Sequence, residues 1–332
     1  MDNPTHTLVG LMLSRAGLNR FTPRADLLLM LAANGPDVDA ISWLGGSVGH
    51  LHYHRGYTHS WLLVPLLAVL PVLITRLFAK QGFHWLKAYL LSIIGVSSHI
   101  LLDMTNSYGV RALLPLRADW LSFDTTFVAD PWIWFVLALA VAGPFISSLV
   151  SSEIGGKRST GQGWAIFALL FILLYDVGRY VAHDRAMEIL NSRIYNGETP
   201  KRVGAFAVFA NPLRWNAVVE LPGSYWVSSM NLLEEFDPAA GRIFFKSPLS
   251  PEIEAARATE PFRVFADFNQ WQLWRSTPMA QAEGSHNVQL FDLRFGNPVD
   301  PGFVAEANVL PGNRVQDAEF RFGKFRITTP DR

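Results

Sequence analysis

Apolar positions along this chain gather into four long runs, 61–78, 85–102, 131–150 and 164–181, of 18 to 20 residues each. At a rise of about 1.5 Å per residue, a helix of that length crosses most of a hydrocarbon core about 30 Å thick. Each run opens with or near a tryptophan (Trp61, Trp85, Trp132, Trp164), the usual anchor at a membrane–water boundary. Pro65, Pro71 and Pro144 fall inside runs, which membrane helices tolerate better than soluble ones. Two shorter runs, 8–13 and 27–33, cannot span and read as interfacial or re-entrant helices. Beyond residue 182 the pattern changes to short alternating segments, "GAFAVFA", "RWNAVVEL", "GRIFFK", "FRVFADF", "VQLFDLRF" and "EFRFGKFRI", broken by Pro, Gly and Asn. The expected architecture is an α-helical membrane domain over 1–182, with about four spanning helices plus interfacial helices. A soluble, mainly antiparallel α+β domain follows over 183–332, introduced by a helix near 184–195.

Composition sharpens this picture. Half of the residues are hydrophobic and 17% are charged, at the oily end of the soluble range, and formal net charge is zero. No global basic field points to nucleic acid. With no cysteine, disulfides, thiolate metal sites and a cysteine nucleophile are all excluded. Any metal must sit on His, Asp, Glu or water. Threading four spans puts His6, the segment 35–60, His99, Asp103, Asp124 and Asp130 on one side of the membrane. The loops 79–84 and 151–163 lie on the other, where they and their flanks carry Arg76, Lys80, Lys87, Lys157 and Arg158. The positive-inside rule makes the basic side cytoplasmic, and the His/Asp side, with the C-terminal domain, periplasmic or outer.

Candidate chemistry concentrates on that side. "HILLD" places His99 and Asp103 four residues apart, on one helix face and one turn apart, where an imidazole and a carboxylate can meet one metal ion. Their depth near the end of a span is costly unless functional. The stretch 35–60 holds four of the nine histidines and two aspartates. In "HRGYTHS", Gly56 permits a sharp reversal and Thr58 is a natural N-cap, so His54 and His59 can swing toward a common point. In "GPDVD", Asp37 and Asp39 can converge within a turn; taken alone, the pair is as readily an ordinary surface turn. His6 in "PTHTLVG" could close the set, while His50 and His52 read as accessory. Asp176 and Arg179 read as an ion pair at spacing three.

The motifs "PTH", "PDVD", "HRGYTHS", "HILLDMTNSYG" and "VADP" over residues 1–182 resemble the bacterial membrane-bound metal-dependent hydrolases, multi-span inner-membrane proteins associated with the SOS repressor. That resemblance implies a metal site built from His6, Asp37, Asp39, His54, His59, His99 and Asp103, hydrolase activity and an inner-membrane location. A more distant likeness is to zinc-dependent phospholipase C and related single-strand nucleases, through the His-x-x-x-Asp helix; the second ligand helix of that fold is missing here. With oxygen and nitrogen ligands only, one to three Zn2+ ions are expected, with Mn2+ as the second choice. Asp37 or Asp39 would serve as general base and Arg55 would clamp a substrate phosphate. A site at a membrane exit suits a phosphoester of a lipid or lipid-linked substrate. The competing reading is a non-enzymatic scaffold or partner-binding protein with a structural metal. A third makes the soluble domain the working part, with Trp271, Trp274, Phe262 and Phe265 either a partner surface or, at strand spacing, core.

Overall fold

The structure, a computed structural model, describes residues 1–79, 81–153, 161–279 and 283–323. Lys80, Lys157 and Arg158 of the expected basic side, and the end of "EFRFGKFRI", lie outside the described residues. By internal contacts the chain forms two compact units. One comprises Met1–Asp39, Arg55–Asp184 and Ala207–Pro212; the other comprises Ala40–His54, Arg185–Phe206 and Leu213–Arg332.

The first unit begins with α1 (Asn3–Arg15), which starts where the Asp2 carboxylate accepts the backbone N–H of Thr5 at 3.0 Å. α2 (Ala25–Ala33) packs beside it. A 3-10 segment, Pro36–Gly45, carries Asp37 and Asp39, and α3 (Gly46–Tyr53) follows in the second unit. The first apolar run is segmented into a 3-10 turn at Trp61–Leu63, α4 (Val64–Leu67) and α5 (Val69–Phe78). Pro65 and Pro71 each sit in the first turn of their helix, where a missing N–H leaves no bond unmade. α6 (Trp85–Met104), α7 (Pro131–Glu153) and α8 (Gln162–Asn191) complete the helices of this region.

Two glycines decide how α1, α2 and α6 meet. A Cβ on Gly10 would lie 2.5 Å from the Leu29 carbonyl oxygen, and one on Gly95 would lie 2.6 Å from the Ala32 Cβ. Both helices therefore approach the Leu29–Ala33 side of α2 more closely than a side chain would allow. His6 stands four residues before Gly10 and His99 four after Gly95, so each imidazole shares a helix face with its glycine. The close packing brings the two rings into a stack, centroids 3.7 Å apart.

The span count corrects the expectation of four. Among the described residues three helical stretches are long and apolar enough to cross a membrane: Trp61–Phe78, Trp85–Met104 and Gln162–Asn191. The run opening at Pro131 counts as a shorter apolar helix, Pro131–Ser147. The fourth run and the separate helix expected near 184–195 are one continuous α8.

In the second unit, β1 (Arg202–Ala207), β2 (Arg214–Glu220), β3 (Ser224–Asn231) and β4 (Arg242–Phe245) form one four-stranded sheet in sequential order. After α9 (Pro251–Arg257) and α10 (Glu260–Phe268), β5 (Gln272–Pro278), β6 (His286–Asp292), β7 (Val304–Leu310) and β8 (Arg314–Arg321) form the second sheet, with antiparallel pairing. The expected antiparallel α+β character is observed, with one correction: "FRVFADF" is helical. Pro261 stands at the start of α10, and Phe262, Phe265 and Phe268, three apart, form one fully buried stripe. Phe206, Val218, Tyr225, Trp271, Leu273, Phe291 and Val304 make the core joining the sheets. Trp271, Phe262 and Phe265 are interior and Trp274, half-buried, stacks on Phe262, so these aromatics are core rather than a partner surface.

Candidate metal centre

Four side chains of the first unit converge on one point: Asp37, His59, His99 and Asp103. His99 and Asp103 sit on the last turns of α6, with Nε2 and Oδ2 3.4 Å apart. His59 closes the 3-10 turn Tyr57–His59, two residues before the first span. Its Nε2 lies 3.1 Å from His99 Nε2, 3.3 Å from Asp103 Oδ2 and 3.6 Å from Asp37 Oδ1. His99 Nε2 to Asp37 Oδ1 is 3.5 Å. A tetrahedral ion bound at about 2.0–2.1 Å has ligands separated by about 3.3 Å along every edge. Five edges of this set fall between 3.1 and 3.6 Å.

The imidazoles are oriented through their outer nitrogens. His99 Nδ1 is 2.6 Å from the Ala33 carbonyl oxygen, which can only accept, so Nδ1 carries the proton and Nε2 presents a lone pair inward. His59 Nδ1 lies 3.3 Å from Asp39 Oδ2 and 3.0 Å from Thr58 Oγ1. Thr58 Oγ1 donates to Asp39 and so accepts from His59 Nδ1–H, which turns a lone pair at His59 Nε2 inward; both tautomers follow from these partners. Two imidazole lone pairs and two carboxylates, three of the four side chains fully buried, then face each other. Such a set repels itself unless a cation stands among it.

The remaining neighbours agree with that reading. Neither Asp103 oxygen nor either ring nitrogen of His6 has an aligned hydrogen bond, though all are buried. Yet His6 Nε2 is 3.2 Å from Asp103 Oδ1, Arg55 Nε is 3.0 Å from Oδ2, and the Met1 amine closes on Oδ1. These contacts lack donor alignment, so the lone pairs of the Asp103 oxygens and of His6 are suited to ligating a cation. Burial, and then the positive groups nearby, hold the His6 pKa well below the usual imidazole range, so the ring is neutral and fit to ligate.

Some placements differ from expectation. Asp37 and Asp39 do converge within one 3-10 segment, a carboxylate oxygen of each within 4.8 Å of the other, and Asp39 is also turned to His59, to the Arg55 N–H at 3.0 Å and to the Thr58 hydroxyl at 2.5 Å. Thr58 spends its hydroxyl on Asp39, and Ser60 caps the turn at Trp61–Leu63 instead. The left-handed residue of the reversal is Arg55, at φ 57°, not Gly56. The Arg55 guanidinium is 4% exposed and bonds Asn106 Oδ1 at 3.0 Å over the Tyr108 ring at 4.9 Å. His54 belongs with α3 to the second unit, stacked on His50 at 4.3 Å. Asn106 and Tyr108 were missed as partners of Arg55, although "HILLDMTNSYG" carries both. Asp130 caps α7 and accepts the Tyr175 hydroxyl at 3.0 Å, and Arg179 bonds the Thr125 carbonyl at 2.6 Å, so this polar group joins α7, α8 and the preceding loop.

Over 324 residues the chain is 24% identical to the uncharacterized protein YfhP of Bacillus subtilis (strain 168), covering 93% of this chain and 91% of that one. It is 30% identical over 155 residues to the inner membrane protein YbcI of Escherichia coli (strain K12), covering 46% of this chain and 82% of that one. No solved structure gives a significant match. Helices α1 to α7, most of α8 and all four converging side chains fall within residues 1–186, and over that stretch the chain belongs to the YdjM inner membrane protein family.

Proposed function

We propose that this protein is a membrane-bound metal-dependent hydrolase acting on a phosphoester, or a related ester or amide, of a lipid or lipid-linked substrate at the membrane interface. The observation that carries the reading is the near-tetrahedral convergence of Asp37, His59, His99 and Asp103 at the end of a candidate span. A divalent ion held there, Zn2+ or Mn2+, would polarise a phosphoryl or carbonyl oxygen and lower the pKa of water to about 7. The compact set favours a single ion, at the low end of the one to three expected. His59 and His99 hold their lone pairs inward. Asp39 acts as the orienting partner of His59, as carboxylates do behind metal-bound imidazoles. His6 supports Asp103 from the stacked side, and His54 is an accessory group. Asp37, at 10% exposure the most accessible of the four, faces incoming substrate and is the ligand that gives way to water and then serves as general base. Arg55 is the counter-charge to Asp103 rather than a substrate clamp. The periplasmic orientation of the metal site belongs to the same proposal, on the strength of Arg76, Lys80 and Lys87 in and beside the loop between the first two candidate spans.

Elemental analysis of the detergent-purified protein tests this, beside folded His99→Ala and Asp103→Ala variants and a screen of lipid phosphoesters. Bound zinc or manganese lost in both variants, together with hydrolysis that follows metal content, is expected. No metal after reconstitution with either ion refutes the reading. The scaffold alternative draws on one observation: four protein ligands already close around the point, as in structural zinc sites. Stoichiometric metal that resists exchange, with no hydrolysis, would favour it.

A further inference from the structure

We propose that the basic end of the first unit, opposite the proposed metal centre, is a binding surface for the phosphate of an anionic phospholipid headgroup, held by Arg20 and Arg24 of the α1–α2 turn and by Lys87 of α6. α1 carries His6 beside Asp103 and Arg15 nine residues on, about 14 Å further along the helix axis. The turn that follows meets the beginning of α6: Arg20, Phe21 and Pro23 line one open groove with Gly82 and His84. A Cβ on Gly82 would lie 3.7 Å from the Pro23 ring, and Leu18 and Phe83 pack on one apolar cluster. Along α6, Lys87 stands 16 residues before Asp103, about 24 Å from it along the axis. The α1–α2 hairpin thus runs from the metal centre to the far end of the second candidate span and back.

That end concentrates positive charge. The segments 15–26 and 76–87 carry Arg15, Arg20, Arg24, Arg76, Lys80 and Lys87 against one carboxylate, Asp26, which accepts the Ser14 hydroxyl. Arg76 spends its Nη1 on the Ala79 carbonyl at 2.8 Å. Arg20, Arg24 and Lys87 are exposed, and their side chains form no ion pair among the described residues. Arg20 lies over the Phe21 ring at 5.2 Å. Trp85, 54% exposed, opens the second candidate span two residues before Lys87, so these cations stand at the level of lipid headgroups. A guanidinium fork matches a phosphate bidentately, and an ammonium adds a point charge. Repulsion among unpaired cations is relieved by an anion, and beside a bilayer the anion at hand is a lipid phosphate. A zwitterionic headgroup brings its own cation and gains less, so the surface selects anionic lipid. This inference rests on the membrane assignment and not on the hydrolase reading, and its test reads no activity.

Native mass spectrometry of the full detergent-purified protein, titrated with phosphatidylglycerol or phosphatidylcholine, counts the lipids that stay bound. Phosphatidylglycerol should bind about tenfold more tightly than phosphatidylcholine. Replacing both Arg20→Gln and Arg24→Gln should erase that difference without weakening phosphatidylcholine, and the Arg20→Lys, Arg24→Lys pair should keep part of it. Lys87→Gln, on a different element, should lower the preference in the same direction, so a folding defect confined to the hairpin variant leaves the test standing. Arg117→Gln, which removes a charge paired with Asp119 away from this surface, should change nothing. Equal binding of the two lipids, or a preference that survives the loss of Arg20 and Arg24, overturns the surface. A preference indifferent to Lys87→Gln removes Lys87 from it. Inorganic phosphate added in a parallel arm should displace little lipid, and full displacement overturns the lipid as the source of the phosphate. Metal content of each variant, measured alongside, separates these failures from failure of the metal centre.

Discussion

Gly95→Ala is the most informative single perturbation, because it acts on the proposed metal centre without touching a candidate ligand. In a helix interior alanine is favoured over glycine by about 1 kcal/mol. Against this, the new Cβ would meet the Ala32 Cβ at 2.6 Å, with the Ala33 nitrogen at 3.3 Å and the Ala32 carbonyl carbon at 3.4 Å. Ordinary contact needs about 3.4–4 Å. α6 must therefore retreat from α2 by roughly 1 Å, an overpacking penalty of about 1–3 kcal/mol. The net loss of stability is then about 0–2 kcal/mol, a modest effect. The effect on the centre is larger, because His99 stands one turn further on the same face and metal–ligand distances tolerate only about 0.2 Å. Metal affinity should fall at least tenfold, measured by competition with a chromogenic chelator in detergent. Ala32→Gly removes the nearest clashing atom, so the double variant should recover most of the affinity, with a coupling energy of about 1–3 kcal/mol. If Gly95→Ala binds metal like the parent, or if Ala32→Gly gives no rescue, the account of helix approach is refuted.

Other outcomes follow from the same structure. Asp39→Asn removes the charge that orients His59 and should weaken metal binding by about 10–100-fold while leaving the fold intact, as seen by circular dichroism and metal titration; affinity unchanged within twofold would show that Asp39 is not the orienting partner. Arg294→Ala would strand the fully buried Asp292, which its guanidinium grips through bonds of 2.6–3.1 Å, and should destabilise the second unit by about 3–5 kcal/mol in thermal melts. Asp2→Ala deletes the α1 cap and should cost about 1 kcal/mol in chemical denaturation, with no loss if the Thr5 N–H finds another acceptor.

The local pattern by itself settled several features. Run length fixed the membrane character of the first half, because about 18 apolar residues have few other uses. The period of four in "HILLD" put His99 and Asp103 on one face, since helix geometry alone dictates it. Alternation gave the strands β2, β4 and β6, where side-chain pattern and pleat agree. "FRVFADF" was ambiguous because a short aromatic-rich segment satisfies both periods, and the proline at its start tipped it to helix only with a core to bury Phe262, Phe265 and Phe268. The roles of Asp37 and Asp39 could not be separated along the chain. The 3-10 path of Pro36–Gly45 aims one at His59 Nε2 and the other at His59 Nδ1, opposite edges of one ring. The stack of His6 on His99 was likewise invisible locally. It depends on Gly10 and Gly95 both pressing on α2, and a glycine reveals a close approach only when the opposing backbone is in place. Sequence determined which groups this protein carries to the membrane boundary; helix packing decided which atoms of those groups face one another, because ligand geometry is set in tenths of an ångström and only tertiary contacts fix distances that finely.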